Sequence, residues 1–164
     1  MKRAFLWVTL FLMLFAYGCS QPATSAPGFA DADLVLTIGE EEYRCRDNIE
    51  SVIAKLGDGY EYAEGRSCDY DGLDKTFIYE VAEFYTWPLG DGDIVNEVYT
   101  QSAEVNTSKG IAVGDSKQDV LAAYGGGCED SGWQLIYRSE SGVSLCFDLD
   151  GDVVTAISLT AVPV

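Results

Sequence analysis

Two stretches of the chain share one pattern of polar and apolar positions. In Asp47 to Gly57 (DNIESVIAKLG), the apolar residues stand three and four positions apart, a spacing that predicts one apolar helix face. An Asp at the start is typical of a helix N-cap, and a Gly at the end is typical of a helix stop. Asp115 to Gly125 (DSKQDVLAAYG) aligns with this stretch without a gap. Each therefore predicts a short capped helix, with Asp47 capping the first and Asp115 or Ser116 the second.

Runs rich in β-branched and aromatic residues follow each predicted helix and indicate strands. They occupy 76–81, 83–87 and 93–100 after the first helix, and 133–138, 143–147 and 153–159 after the second. Asp-Gly and Ser-Gly pairs between these runs are typical of tight turns between antiparallel strands. A further hairpin is predicted at 34–45, before the first helix. Each block is thus predicted to be a helix followed by an antiparallel meander.

The two blocks indicate an internal duplication. The segment 90–100 aligns with 149–159, so that the letters DGD in one fall on DGD in the other. Together with the helix match, this predicts an α+β fold of two tandem helix-plus-antiparallel-sheet repeats. The helices would lie on one face of the sheet and leave the other face free. The first repeat is placed at 34–104 and the second at 105–164.

The first 18 residues predict a secretory signal rather than part of the fold. Lys2 and Arg3 precede an uncharged apolar run at 4–16, which is short for a membrane span. Residues 19–33 are rich in Ser, Ala and Pro and predict a flexible tether.

The Gly-Cys step at the end of the signal resembles the lipobox of bacterial lipoproteins. This resemblance implies that Cys19 is diacylated and becomes the mature N-terminus. The predicted location is therefore the extracytoplasmic face of the cell membrane, with the lipid on Cys19 as the anchor. The alternative is a secreted protein cleaved later, for example after Ala26, if the lipobox is not used.

The chain has five cysteines, and a lipid on Cys19 would leave four. Outside the cytosol, four cysteines predict two disulfides, and three pairings are open. Pairing within each repeat closes the shortest loops, which favours Cys45–Cys68 and Cys128–Cys146. The chain has no His and no CxxC motif, so no zinc site is predicted.

The chain is strongly acidic, with a net charge of −17 that becomes −19 once Lys2 and Arg3 leave with the signal. Such a charge excludes electrostatic binding of nucleic acid. It also repels anionic lipid head groups, so membrane attachment must depend on the lipid. A basic protein or a basic component of the envelope would complement this charge.

The residue types needed for several kinds of catalysis are missing. Without His there is no Ser-His or Cys-His pair, and the Ser-x-x-Lys spacing does not occur. The three glycines at 125–127 follow their helix, whereas a phosphate-binding loop precedes one, so no nucleotide is predicted. The sequence therefore predicts a non-enzyme without a cofactor. An envelope hydrolase with paired carboxylates is the alternative, since 27 acids can form such a pair.

Acidic clusters raise the question of calcium. They occur at 69–74, 91–93 and 148–152, and the last lacks the Gly and Glu that an EF-hand loop needs. Two of the three coincide with predicted hairpin turns, where Asp is common. No metal site is predicted, and a calcium-stabilised structural module is kept as a second alternative.

Aromatic residues are the candidates for a binding surface, because aromatic anchors dominate protein interfaces. In the strand at 93–100, Ile94 and Val98 form the more apolar side, which turns Val95, Glu97 and Tyr99 to the free face. The candidate binding residues are Tyr79, Trp87, Tyr99, Trp133 and Tyr137. For each of them, a place in the core is the competing prediction.

The motif GIAVGDSKQDVLAAYG at 110–125 leads through Gly and polar residues into a short helix that ends in Gly. Two such tandem units, each with a disulfide, resemble the β-lactamase inhibitory protein fold. The single unit is similar to the small lipoproteins of the outer-membrane barrel-assembly machinery (the SmpA/BamE-like group). The mature chain also resembles uncharacterised lipoproteins of Gram-positive anaerobes. These resemblances imply a fold and a protein-binding role; they do not imply β-lactamase inhibition, because the contact loops of the inhibitor have no match here.

Overall fold

The computed structural model describes residues 28–89 and 92–163. The predicted signal, Cys19 and most of the predicted tether lie outside these residues. Within them the chain forms a 3-10 turn at Asp31–Asp33, two α-helices and eleven strands. The helices are α1 (Ile49–Leu56) and α2 (Lys117–Tyr124). The strands are β1 (Leu36–Ile38), β2 (Glu41–Tyr43), β3 (Glu61–Arg66), β4 (Leu73–Ile78), β5 (Glu83–Leu89), β6 (Gly92–Thr100), β7 (Val105–Thr107), β8 (Glu129–Asp130), β9 (Gln134–Arg138), β10 (Val143–Asp150) and β11 (Val153–Ala161).

The strands form two antiparallel sheets. The main sheet has eight strands in the order β3-β4-β5-β6-β11-β10-β9-β8, and the small sheet has three in the order β2-β1-β7. The pairing of β6 with β11, for example Val98 opposite Leu159, joins the two halves of the main sheet. The fold is therefore built around one continuous sheet.

The predicted fold class was wrong. The chain is mostly β, and it is not a pair of tandem helix-plus-sheet repeats with the helices covering the sheet. The physical reason is size: a helix of eight residues is about 12 Å long, whereas eight strands extend over about 34 Å. The small sheet supplies further apolar cover. In it β7, from the second predicted repeat, pairs with β1, from the first, so this sheet contains strands of both repeats.

One face of the main sheet carries the core. A row of directly opposed residues runs across six strands and is almost completely buried: Phe77, Phe84, Val98, Leu159, Leu145 and Tyr137. Opposed residues of neighbouring strands point to the same face, so this face is apolar throughout. The small sheet contributes Tyr43, whose ring lies 5.5 Å from that of Phe84, and α2 contributes Tyr124, at 5.7 Å from Phe147.

The helix ends follow the predicted chemistry at three of four places. Gly57 and Gly125 have positive φ, and their N–H groups donate to the Ile53 and Leu121 carbonyls, which confirms both predicted stops. Ser116 caps α2. The prediction that Asp47 caps α1 was wrong, because the next residue, Asn48, accepts from the Glu50 N–H. Asp47 instead accepts from the Arg44 N–H and so fixes the preceding turn.

Candidate functional site

The second face of the main sheet carries no helix among the described residues, and we call it the open face. Two rows of opposed residues run across it. The first row is Ile78, Glu83, Tyr99, Ser158, Cys146 and Ile136. The second is Thr76, Tyr85, Glu97, Thr160, Ser144 and Arg138. The middle of this face is therefore a mixture of acidic, aromatic and hydroxyl side chains.

Tyrosines and carboxylates are paired at the centre of the open face. Glu97 lies directly opposite Tyr85, and Glu83 lies directly opposite Tyr99. The Tyr85 hydroxyl donates to the Glu83 carboxylate at 2.5 Å, and this hydrogen bond, together with burial, raises the pKa of Tyr85. Burial raises the pKa of Tyr99 as well, and the charges of Asp148 and Glu83 add to the effect. We call Glu83, Tyr85, Glu97, Tyr99 and Asp148 together the acidic-tyrosine cluster.

Glu97 is the carboxylate of the cluster with a perturbed titration. Partial burial raises its pKa, because a desolvated carboxyl group resists ionisation. A hydrogen bond from Thr160 acts in the opposite direction, and the negative charges of Asp148 and Glu83 raise the pKa further. Glu97 is thus a carboxylate whose charge is incompletely compensated within the protein, and a cation placed beside it would be stabilised.

A β-bulge positions Glu97. The register between β5 and β6 shifts so that Tyr85 opposes Glu97 while Thr86 opposes Val95, which leaves Asn96 as the extra residue. In a regular strand, residues 95 and 97 would point to the same face. The bulge separates them, so Val95 is fully buried in the core while Glu97 stays on the open face. The prediction that Val95 faces the free side was therefore wrong.

The structure does not bring the five predicted binding residues together. Tyr99 lies on the open face, and Trp133 is 62% exposed in the turn before β9. Trp87 is buried, and its ring lies 5.5 Å from that of Tyr70. Tyr79 and Tyr137 are core residues whose hydroxyls donate to the Gly57 and Gly125 carbonyls, so each of them holds the end of a helix.

Glu83 and Tyr85 were not among the predicted binding residues. Both belong to the run at 83–87, whose regular alternation could have placed them on the side opposite Phe84. What no local pattern shows is that β6 also lies beside β11, because that pairing joins distant parts of the chain. The sheet order therefore adds Asp148 of β10 to the four residues that the β5–β6 hairpin brings together.

The four predicted disulfide cysteines are present as free thiols in the described part of the chain. Cys146 is on the open face of β10, opposite Ile136 of β9. Cys128 precedes β8, which is on the far side of β9, and it packs against the core. Two strands that flank a third are about 9.6 Å apart, and a disulfide requires Cα atoms within about 7 Å. A Cys128–Cys146 bond would therefore require β9 to move.

In 28–89 and 92–163, no group of three or more His, Cys, Asp or Glu side chains could hold a metal ion. The same residues include no helix that is long and apolar enough to cross a membrane.

No family model, no curated protein and no solved structure matches the chain. The resemblance to the β-lactamase inhibitory protein fold and to small envelope lipoproteins therefore stays an expectation from the sequence. The open face has to be interpreted from its own chemistry.

Proposed function

We propose that this protein is a membrane-anchored extracytoplasmic lipoprotein that binds a basic protein segment through the open face, without catalysis. The observation that carries the proposal is the acidic-tyrosine cluster on a sheet face that neither of the two described helices covers. Tyrosine rings provide rigid contact area, and their faces attract Lys and Arg side chains. Carboxylates beside them complement the same cations and suppress acidic partners.

The shape of the open face favours binding over hydrolysis by paired carboxylates at this face. Such hydrolysis needs two carboxyl groups about 5 to 10 Å apart across a cleft that holds the substrate. The cavity that includes Glu83 and Tyr99 has a volume of about 60 Å³, and Glu97 does not line it. A shallow face of this kind suits an extended segment laid across the strands.

The proposed anchoring rests on the sequence, since Cys19 lies outside the described residues. Mass spectrometry of the mature N-terminus tests it. A diacylated Cys19 is expected, and an unmodified chain starting at Ser20 or later would contradict the anchor while leaving the binding face untouched.

A titration with a defined basic probe tests the binding function. The probe is a short fluorescent peptide of alternating Lys and Val, followed by anisotropy, and its counterpart with Glu in place of Lys serves as the charge control. Glu97→Gln is expected to weaken binding about tenfold, because one charge-assisted contact is lost. Glu104→Gln makes the same charge change at an exposed turn and should bind like the native protein. Equal losses in both variants would mean that only net charge matters, and the proposed face would be wrong.

A further inference from the structure

Arg46 has a backbone conformation that its residue type disfavours. Its φ is 73°, and it is the one non-glycine residue with positive φ in the described part of the chain. It lies in the turn before α1, where its N–H donates to the Val95 carbonyl at 2.6 Å. A left-handed backbone is unfavourable for a non-glycine residue, because its Cβ approaches the following carbonyl oxygen. Strain of this kind is retained where the side chain has a role.

The equivalent turn before α2 has a glycine at the position that Arg46 occupies in the turn before α1. Gly114 occupies the same place, with φ of 100°, and its N–H donates to the Val154 carbonyl at 2.9 Å. The next residue in each turn is an Asp that accepts a backbone N–H three residues back, from Arg44 in one turn and Ala112 in the other. Glycine would therefore build the turn before α1 equally well, and the backbone alone gives no reason for an arginine there.

Among residues 28–89 and 92–163, no carboxylate forms an ion pair with the Arg46 guanidinium. The described part of the chain has eight basic residues, and six of them form ion pairs: Arg44, Lys55, Lys75, Lys109, Lys117 and Arg138. Arg46 and Arg66 are the remaining two, and Arg66 lies on the exposed edge strand β3. An arginine without a carboxylate partner in the described part of so acidic a chain is a candidate to bind an outside anion.

Arg46 lines a pocket of about 230 Å³. The pocket lies between the 3-10 turn, the turn before α1 and the turn between β9 and β10, and its lining is Asp31, Leu34, Arg44, Cys45, Arg46, Ser141 and Val143. Leu34 and Val143 are buried members of the core, so part of the wall is apolar. A Cβ added to Gly142 would lie 3.5 Å from an Arg46 guanidinium nitrogen, which places the charge against this turn.

The other charges of the pocket select a ligand with a single negative charge. Arg44 is already engaged by the Glu42 carboxylate at 2.8 Å and the Leu34 carbonyl at 3.4 Å. The Asp31 carboxylate accepts the Ser139 hydroxyl at 2.5 Å and remains a negative charge in the pocket wall. A second negative charge on the ligand would be repelled by Asp31.

We propose that this pocket is a second binding site, which takes the carboxylate of a small monoanion with an apolar body. Arg46 holds the carboxylate through two parallel hydrogen bonds, the geometry that guanidinium groups favour. Leu34 and Val143 contact the apolar part. A free short-chain acid and the carboxyl terminus of a peptide share this chemistry. The pocket lining shares no residue with the acidic-tyrosine cluster, so the site stands even if the proposed function fails.

NMR titrations of the full chain test the site. Hexanoate is expected to shift the amide signals of Arg46, Ser141, Gly142 and Val143, and inorganic phosphate is expected to shift them less. Hexanamide has the same apolar body without the charge and should leave them in place. Acetyl-Ala-Leu with a free carboxyl terminus is compared with its amide, and tighter binding than hexanoate would identify a peptide end as the source of the carboxylate.

Two variants separate a binding role from a structural one. Arg46→Gly is expected to lose about tenfold or more in hexanoate affinity, and its melting temperature should not fall, because glycine accepts the positive φ. Arg66→Ala removes the same charge elsewhere and should keep the native affinity. Native affinity in Arg46→Gly, or equal shifts with hexanamide, would overturn the proposal.

Discussion

At the scale of single residues, the open face contains a carboxylate, Glu97, in an environment that disfavours its charged form. Glu97 is partly buried beside Asp148 and Glu83, and its pKa is raised in the folded protein. Between the ordinary Glu pKa and the raised one, Glu97 is therefore protonated in the folded state and ionised in the unfolded state. Stability falls as the pH rises through this range, and the loss persists at neutral pH.

Glu97→Gln is therefore expected to raise the melting temperature at neutral pH. The difference from the native protein should shrink as the pH falls below the ordinary Glu range of about 4.3, where both forms are neutral at this position. Thermal unfolding followed by circular dichroism at a series of pH values measures this. Glu104→Gln, at an exposed turn, is the control. A lower melting temperature for Glu97→Gln at neutral pH would contradict the assigned environment.

Individual aromatic residues show how far a sequence can place a side chain. Tyr99 was assigned to the free side from the alternation of its strand, and it lies on the open face. Tyr79 and Tyr137 were candidates for the same surface, and both are buried with their hydroxyls on helix-end carbonyls. Tyrosine suits both environments, because its ring is apolar and its hydroxyl finds one acceptor in the core. Composition alone cannot separate the two.

At the scale of elements, the helix ends were the most predictable part of the fold. The two helices and their glycine stops follow from local chemistry, because capping needs only residues within one turn. The bulge at Asn96 was not predictable, since it depends on how β6 pairs with β5. Its consequence is that Val95 and Glu97 point to opposite faces, which a regular alternation cannot give.

Ser116→Ala tests the assigned cap of α2. Ser116 accepts the Asp119 N–H at 3.2 Å, and Asp119 accepts the Ser116 N–H at 3.1 Å in return. Loss of the serine oxygen is expected to lower the free energy of unfolding by about 1 kcal/mol. Urea unfolding measures the change, and Gln118→Ala, at an exposed position of the same helix, should change stability much less. Equal effects in the two variants would show that the cap does not stabilise α2.

At the scale of the whole molecule, the single eight-stranded sheet is what the sequence failed to reveal. Repeated local patterns predicted two units, but β6 pairs with β11 and β7 pairs with β1. Both pairings join segments far apart along the chain, and no local motif specifies them. The sheet also completes the acidic-tyrosine cluster, since Glu83 of β5 and Asp148 of β10 lie in opposite halves of the sheet.

This architecture predicts that the described part of the protein unfolds as one cooperative unit. Near-ultraviolet and far-ultraviolet circular dichroism should give the same urea midpoint, because the core row runs through both halves of the sheet. Val98→Ala, at the junction of β6 and β11, should move both midpoints together. Two separate transitions would mean that the halves fold independently.

The place where a basic segment binds tests the central claim most directly. A Lys-Val peptide with a nitroxide label is added to the isotope-labelled protein, and paramagnetic broadening is recorded for each amide signal. The strongest broadening is expected at Tyr85, Tyr99 and Ser158 on the open face, and little at Val52 and Val120 in the helices on the other face. Broadening centred on the helices, or spread evenly over the acidic surface, would contradict it.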